Sequence, residues 1–228
     1  SIQLDSITVP AARFMDLATA PEYRGSGLAT ALLAAGERAA RERGVLVALT
    51  RTRAPALFGR QGWSICGRHL FSTAAPRQVL AALGATAGGA FDDGRDAGGP
   101  LFQPRAEPIA VRPLRRIELP AIVRLYDENL AGQCGWPKRS EEYWDWLLSR
   151  GACDRIFVAA TGPEQTELPK LLNSIVGYAF VRQGRLVEVV AQRDRPEVAQ
   201  HLAARVCADA SEQGDWLVRC DAPPDHPL

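Results

Sequence analysis

The 228-residue sequence has no apolar run approaching the ~20 residues of a membrane-spanning helix, and no secretory signal is visible. It has almost no excess charge. Twenty-seven Lys and Arg against 26 Asp and Glu leave a net +1, which gives no electrostatic case for nucleic acid or a membrane surface as partner. The three histidines (His69, His201, His226) have no metal-ligand spacing with each other or with cysteine, so no metal site is expected. The five cysteines (Cys66, Cys134, Cys153, Cys207, Cys220) are scattered and odd in number. They read as free thiols of a cytoplasmic protein and not as a disulfide framework.

What the sequence does have is an alternation of short apolar runs and amphipathic stretches. Ile7–Thr19 reads as extended chain interrupted at Pro10. Gly27–Arg43 reads as a helix whose apolar positions Leu28, Ala31, Leu32, Ala35 and Ala39 recur at helical spacing, with Glu37, Arg38, Arg41, Glu42 and Arg43 on the other face and Gly44 as the stop. Val45–Thr50 is a strand, "PALFGRQGW" a short helix and turn, and "SICGRHLFST" a further strand. Gly84–Pro108 is rich in Gly, Asp and Pro and reads as a linker. Beyond it the order is strand, two helices, three strands, a helix opened by Pro196 and a last strand in "DWLVRCDA", with a polar loop between the first two of those three strands. The fold class is α/β (α+β), with mixed sheets flanked by helices in two units, 1–83 and 109–228.

The run "PEYRGSGLATALL" sets glycines, in place of a Ser, Thr, Asp or Asn cap, before the first long helix. Glycines there let the backbone approach a ligand, and the first-turn N–H groups and the helix dipole favour an anion. A plain tight turn is the other reading. The pattern is neither the G-x-G-x-x-G of a dinucleotide site nor the G-x-x-x-x-G-K-[ST] of a P-loop.

In this context Pro21, Tyr23, Arg24, Gly27 and Ala29 resemble the acetyl-CoA signature of the GNAT superfamily of N-acetyltransferases, [Q/R]-x-x-G-x-[G/A] after a strand. "LFGRQGW" resembles the Tyr-x-x-x-Gly-Phe element that follows the next strand. "ALFGRQGW", "RSEEYWDWLL", "RLVEVVAQ" and the terminal "APPDHPL" are similar to stretches of the enhanced-intracellular-survival family, which carries two GNAT domains in tandem before a sterol-carrier-like domain. The resemblance implies tandem GNAT units, the first lacking its N-terminal half. It implies acetyl-CoA as co-substrate and a primary amine as acceptor. Leu17, Ala18 and Thr19 would lie along the pantetheine, and Arg24, Gly25, Ser26, Gly27, Leu28, Ala29 and Thr30 would hold the pyrophosphate. Phe58 falls where the family places its tyrosine acid, so no catalytic residue is assigned. Gln192–Gln200 has no glycine where a second pyrophosphate loop would stand, so one cofactor site is expected, in the first unit. A CoA-binding module without catalysis is the alternative function, and a homo-oligomer remains open.

Overall fold

The computed structural model describes residues 1–4, 6–67, 70–87, 108–130, 135–149, 153–163 and 165–220. By contact the chain divides into one unit of Ser1–His69 with Leu130–Glu142 and another of Leu70–Asn129 with Tyr143–Leu228, a division different from the expected 1–83 and 109–228. The run Ala222–Leu228 and most of the expected linker, 88–107, lie outside the described residues.

In the first unit, β1 (Ile2–Leu4) and β2 (Ile7–Val9) form an antiparallel pair. The stretch at Trp136–Lys138 lies along β1: Gln3 N–H donates to the Trp136 carbonyl at 2.8 Å, and Lys138 N–H to that of Ser1 at 3.0 Å. Pro10 ends β2, and β3 (Ala11–Phe14) follows. Then come α1 (Leu28–Glu42), β4 (Val47–Thr50) and α2 (Pro55–Gly59). β3 and β4 pair in parallel around α1, as the strand–helix–strand order requires. The apolar stripe of α1 lies differently from expectation. Leu33 is buried, while Leu28 and Leu32 are more than half exposed. Helical period alone cannot say which of two partly apolar faces meets the strands. The face that does so carries Leu33, Gly36 and Glu37.

In the second unit, β5 (Ser72–Ala74) and α3 (Pro76–Ala87) precede β6 (Ile109–Pro113), α4 (Leu119–Leu130), α5 (Glu141–Ser149) and β7 (Arg155–Thr161). The polar stretch read as a loop contains a helix, α6 (Leu168–Ser174), which Pro169 opens at its first turn. β8 (Ile175–Arg182), β9 (Arg185–Ala191), α7 (Pro196–Glu212) and β10 (Val218–Cys220) complete the chain. One six-stranded sheet results, in the order β5-β10-β9-β8-β7-β6. Among the described residues, the expected strand in "SICGRHLFST" is present only as β5, which pairs with β10 of this sheet. Gly84–Ala87 are helical, a correction to the start of the linker. Val79 and Leu80 of α3 pack against Cys207, Ala210 and Val218.

The two faces of the sheet follow from strand alternation. Phe157, Ala159, Ala179 and Val181 meet Val198, Leu202 and Val206 of α7. Tyr178 and Phe180 face the other way, where Trp144 of α5 packs between Phe180 and Tyr126 of α4. Of the aromatic residues on α5, Trp144 is buried and Trp146 is 44% exposed. Gly177 of β8 sits beneath α7: a Cβ there would stand 2.5 Å from Val198 Cγ1 and 2.9 Å from the Val190 carbonyl oxygen. Gly177→Ala is therefore expected to overpack this face and cost about 1–3 kcal/mol, read as a lower thermal midpoint.

Candidate functional site

The first unit brings three parts together around β3, α1 and α2. β3 ends at Phe14, whose carbonyl accepts a hydrogen bond from Thr50 Oγ1 at 3.0 Å. The chain then leaves the sheet. Leu17, Ala18 and Thr19, expected to continue as a strand, lie in irregular chain, with Leu17 and Thr19 half-buried and Ala18 exposed. Asp16, two residues past the end of β3, has a left-handed φ of 56°.

A 3-10 turn at Pro21–Tyr23 leads into the glycine run. Arg24 Nε donates to the Thr19 carbonyl at 3.4 Å, and Ser26 Oγ donates to that of Tyr23 at 2.5 Å. These bonds shape the turn with side chains, and the Tyr23 and Arg24 N–H groups are taken by the Ala20 and Pro21 carbonyls at 3.0 and 3.3 Å. Gly27 is the N-cap of α1 at φ 81°, ψ 1°, and Gly25 has φ 84°, both left-handed conformations open to glycine at little cost. A Cβ at either position would meet nothing within 4 Å, so these glycines are set by backbone conformation and open space, not by packing. The N–H groups of Gly25, Ser26, Gly27, Leu28, Ala29 and Thr30 make no hydrogen bond, and the first bonded amide is that of Ala31, to Gly27 O at 3.0 Å. Six free amides at the positive end of a fifteen-residue helix suit an anion with several oxygens. The pyrophosphate of a coenzyme A thioester fits this donor set, and no acidic side chain stands in the first turn to oppose it.

The strand-to-helix turn before α7 in the second unit differs at each point. Among Gln192–Arg195 no residue has positive φ. Pro196 has no N–H to offer. Glu197 sets a carboxylate in the first turn of α7, where it accepts its own backbone N–H, and Val198 N–H is taken by the Arg195 carbonyl at 3.1 Å.

The third part is α2. Phe58 is 6% exposed. After α2 the chain turns back through Gly62, at φ 85°, so that Trp63 N–H reaches the Phe58 carbonyl at 3.2 Å. That return stacks Trp63 edge-to-face on Phe58, with ring centroids 5.3 Å apart. Phe58 thus packs in an aromatic cluster, which its sequence position did not reveal. A groove of about 340 Å³ runs past Trp63. It is lined by the C-terminal half of α1 and the start of β4, including Arg41, Leu46 and Ala48, and not by the glycine turn. Among the described residues no group of three or more His, Cys, Asp or Glu side chains could hold a metal ion, and no helix is long and apolar enough to cross a membrane.

Residues 1–66 match the model of a family described as an acetyltransferase (GNAT) domain. No curated protein matches the sequence. Two solved structures are similar across nearly the whole chain. One is a GCN5-related N-acetyltransferase from Kribbella flavida, at 18% identity and TM-score 0.57, covering 96% of this chain and 47% of that one. The other is a tandem GNAT protein from the clavulanic acid biosynthesis pathway, at 14% identity and TM-score 0.56, covering 95% and 68%. The chain thus spans about half the length of the Kribbella protein. Its fold is the GNAT fold, a mixed sheet flanked by helices, with the acetyltransferase (GNAT) domain match falling on the segment that carries the glycine turn.

Proposed function

We propose that the chain is an N-acetyltransferase that moves acetyl from acetyl-CoA to a primary amine, of a small molecule or a lysine-like side chain. The observation that carries this reading is the run of six unbonded amides at Gly25–Thr30, inside the matched segment 1–66. Arg24, Gly25, Ser26, Gly27, Leu28, Ala29 and Thr30 would hold the pyrophosphate, and Leu17, Ala18 and Thr19 would run along the pantetheine. Acetyl-CoA supplies the activated acyl group as a thioester. The chain's contribution is to fix that group, bring the amine within reach and exclude water. The enhanced-intracellular-survival family is the tandem-GNAT family we favour, on the stretches "ALFGRQGW", "RSEEYWDWLL" and "RLVEVVAQ". The thiols and the near-neutral charge suit a cytoplasmic setting.

A second reading has its own observation. Phe58 stands where that family sets a tyrosine acid, and phenylalanine donates no proton. Its burial against Trp63 favours a module that binds CoA without catalysis. Calorimetric titration with acetyl-CoA, followed by thiol release over a panel of amines, separates these readings. No binding sinks both, and binding without turnover on any amine leaves the module. Phe58→Tyr sharpens the comparison. An acid reaching the thioester is expected to raise turnover about tenfold, a partial gain below the roughly 10²–10⁴ that well-placed assistance reaches. A hydroxyl buried without a partner is expected to cost about 1–3 kcal/mol of stability with no gain in rate.

A further inference from the structure

Trp63 touches three elements of the first unit. Its ring meets that of Phe14, the last residue of β3, edge-on at 5.3 Å and 83°. It meets Phe58 of α2 at 5.3 Å and 73°. Its indole N–H donates to Glu37 Oε1 of α1 at 2.6 Å in a part-buried hydrogen bond. The other Glu37 oxygen lies 3.4 Å from Arg41, whose side chain is 72% exposed. Next to Glu37, Gly36 leaves room for the Phe14 ring: a Cβ there would stand 2.7 Å from Phe14 Cε1. Each of the three elements carries a different part of the candidate site. β3 releases the chain toward Leu17–Thr19, α1 begins with the free amides, and α2 holds Phe58.

We propose that the Glu37–Trp63 hydrogen bond is a positioning device for the long arm of the cofactor. It fixes where β3 ends relative to α1, and so how far the Leu17–Thr19 segment stands from the pyrophosphate-binding turn. Glu37 and Trp63 are positioning residues that touch neither ligand nor reacting atoms. The inference rests on the reading of the turn as an acetyl-CoA site. A bond to a charged acceptor is stronger and more directional than a neutral one, which suits it to hold two elements in register. The end that would hold pyrophosphate, by the amides of the glycine turn with Arg24, does not depend on this bond. The pantetheine contacts, made by a segment hung from Phe14, do.

The test separates the two ends of the ligand. Acetyl-CoA carries pyrophosphate and pantetheine, whereas adenosine diphosphate carries the pyrophosphate without the arm. Both are titrated by calorimetry against the parent chain, Trp63→Phe, Glu37→Leu and Glu37→Gln. Trp63→Phe keeps a ring in the cluster and removes the donor, and Glu37→Gln keeps an acceptor oxygen. The expected result is a loss of about tenfold in acetyl-CoA affinity for Trp63→Phe and Glu37→Leu, an unchanged affinity for adenosine diphosphate, and a smaller loss for Glu37→Gln, whose neutral oxygen accepts a weaker bond. Equal weakening of both ligands overturns the proposal, because it marks a structural prop of α1. Unchanged affinity for both overturns it as well. A parent chain that binds neither ligand shows a different failure, that of the acetyl-CoA reading itself, and shows it before any variant is made.

Discussion

Gly27→Glu is expected to lower acetyl-CoA affinity at least a hundredfold while leaving the first unit folded. Two effects bear on the fold, and they oppose each other. A residue with a Cβ at φ 81° carries roughly 1–2 kcal/mol of strain. A carboxylate at a helix N-terminus returns about 0.3–1 kcal/mol through the helix dipole. The new Cβ meets no atom within 4 Å, so no clash adds to the sum. The effect on binding has no such offset. The carboxylate competes for the same unbonded amides that would receive the pyrophosphate, and its charge repels the phosphates. A hundredfold loss corresponds to about 2.7 kcal/mol, at about 1.4 kcal/mol per factor of ten. Gly27→Ala, with the strain and without the charge, is expected to lose far less. Calorimetry on both variants, with circular dichroism to confirm the fold, checks the result. Unchanged affinity in folded Gly27→Glu would remove the site from this turn.

In the second unit the largest effect is expected at Glu118, which is fully buried in the 3-10 turn just before α4. Arg112 of β6 donates to it twice, at 2.9 and 2.6 Å, and the Arg115 N–H donates at 2.8 Å. Burial pushes the Glu118 carboxyl up. The hydrogen bonds from Arg112 and Arg115 and the charges of both arginines outweigh it and hold the group below its ordinary value. Glu118→Ala removes the buried carboxylate that accepts two hydrogen bonds from the Arg112 guanidinium. Breaking a buried pair costs about 3–5 kcal/mol, and the lower end applies because the Arg112 side chain is 25% exposed. The sign of the pH dependence follows from the lowered value. The stabilisation is complete above the ordinary carboxylate value of 4.5 and is lost as the pH falls from there through the lower value of the folded state. Denaturant unfolding of parent and Glu118→Ala at neutral and acid pH measures both: the difference between them is expected to shrink toward acid.

Much of this fold was legible in the sequence. Gly27 and Gly44 bracket α1, and the strands either side pair in parallel as such an order demands. From β6 onward the runs of β-branched residues and Pro196 mark nearly every element. What was not legible is non-local. β5 is three residues long, and its pairing with β10 rather than with β4 leaves no trace in periodicity. α6 hid behind a polar stretch. The helical period assigned Glu37 to the solvated face, yet Glu37 is the residue that Trp63 holds, because one hydrogen bond across the unit outweighs a modest pattern. For the candidate site, the glycine turn could be read directly. The environment of Phe58 could not, since it depends on the return of the chain through Gly62.

The pairing of β5 with β10 also bears on how the molecule reaches its fold. The two strands come from the start and the end of the second unit, so their hydrogen bonds close a loop that runs through almost all of it. Closing so long a loop costs chain entropy before three residue pairs can repay it. The β7–β8–β9 meander, built from neighbouring segments, has no such cost and is free to form first. During synthesis β5 leaves the ribosome early and waits for nearly the whole unit before its partner exists, and between the emergence of β9 and that of β10 the edge of β9 is also uncovered. Pulse-labelled hydrogen exchange during refolding is expected to protect amides of the meander before those of β5 and β10. Simultaneous protection would show that the sheet condenses as one piece.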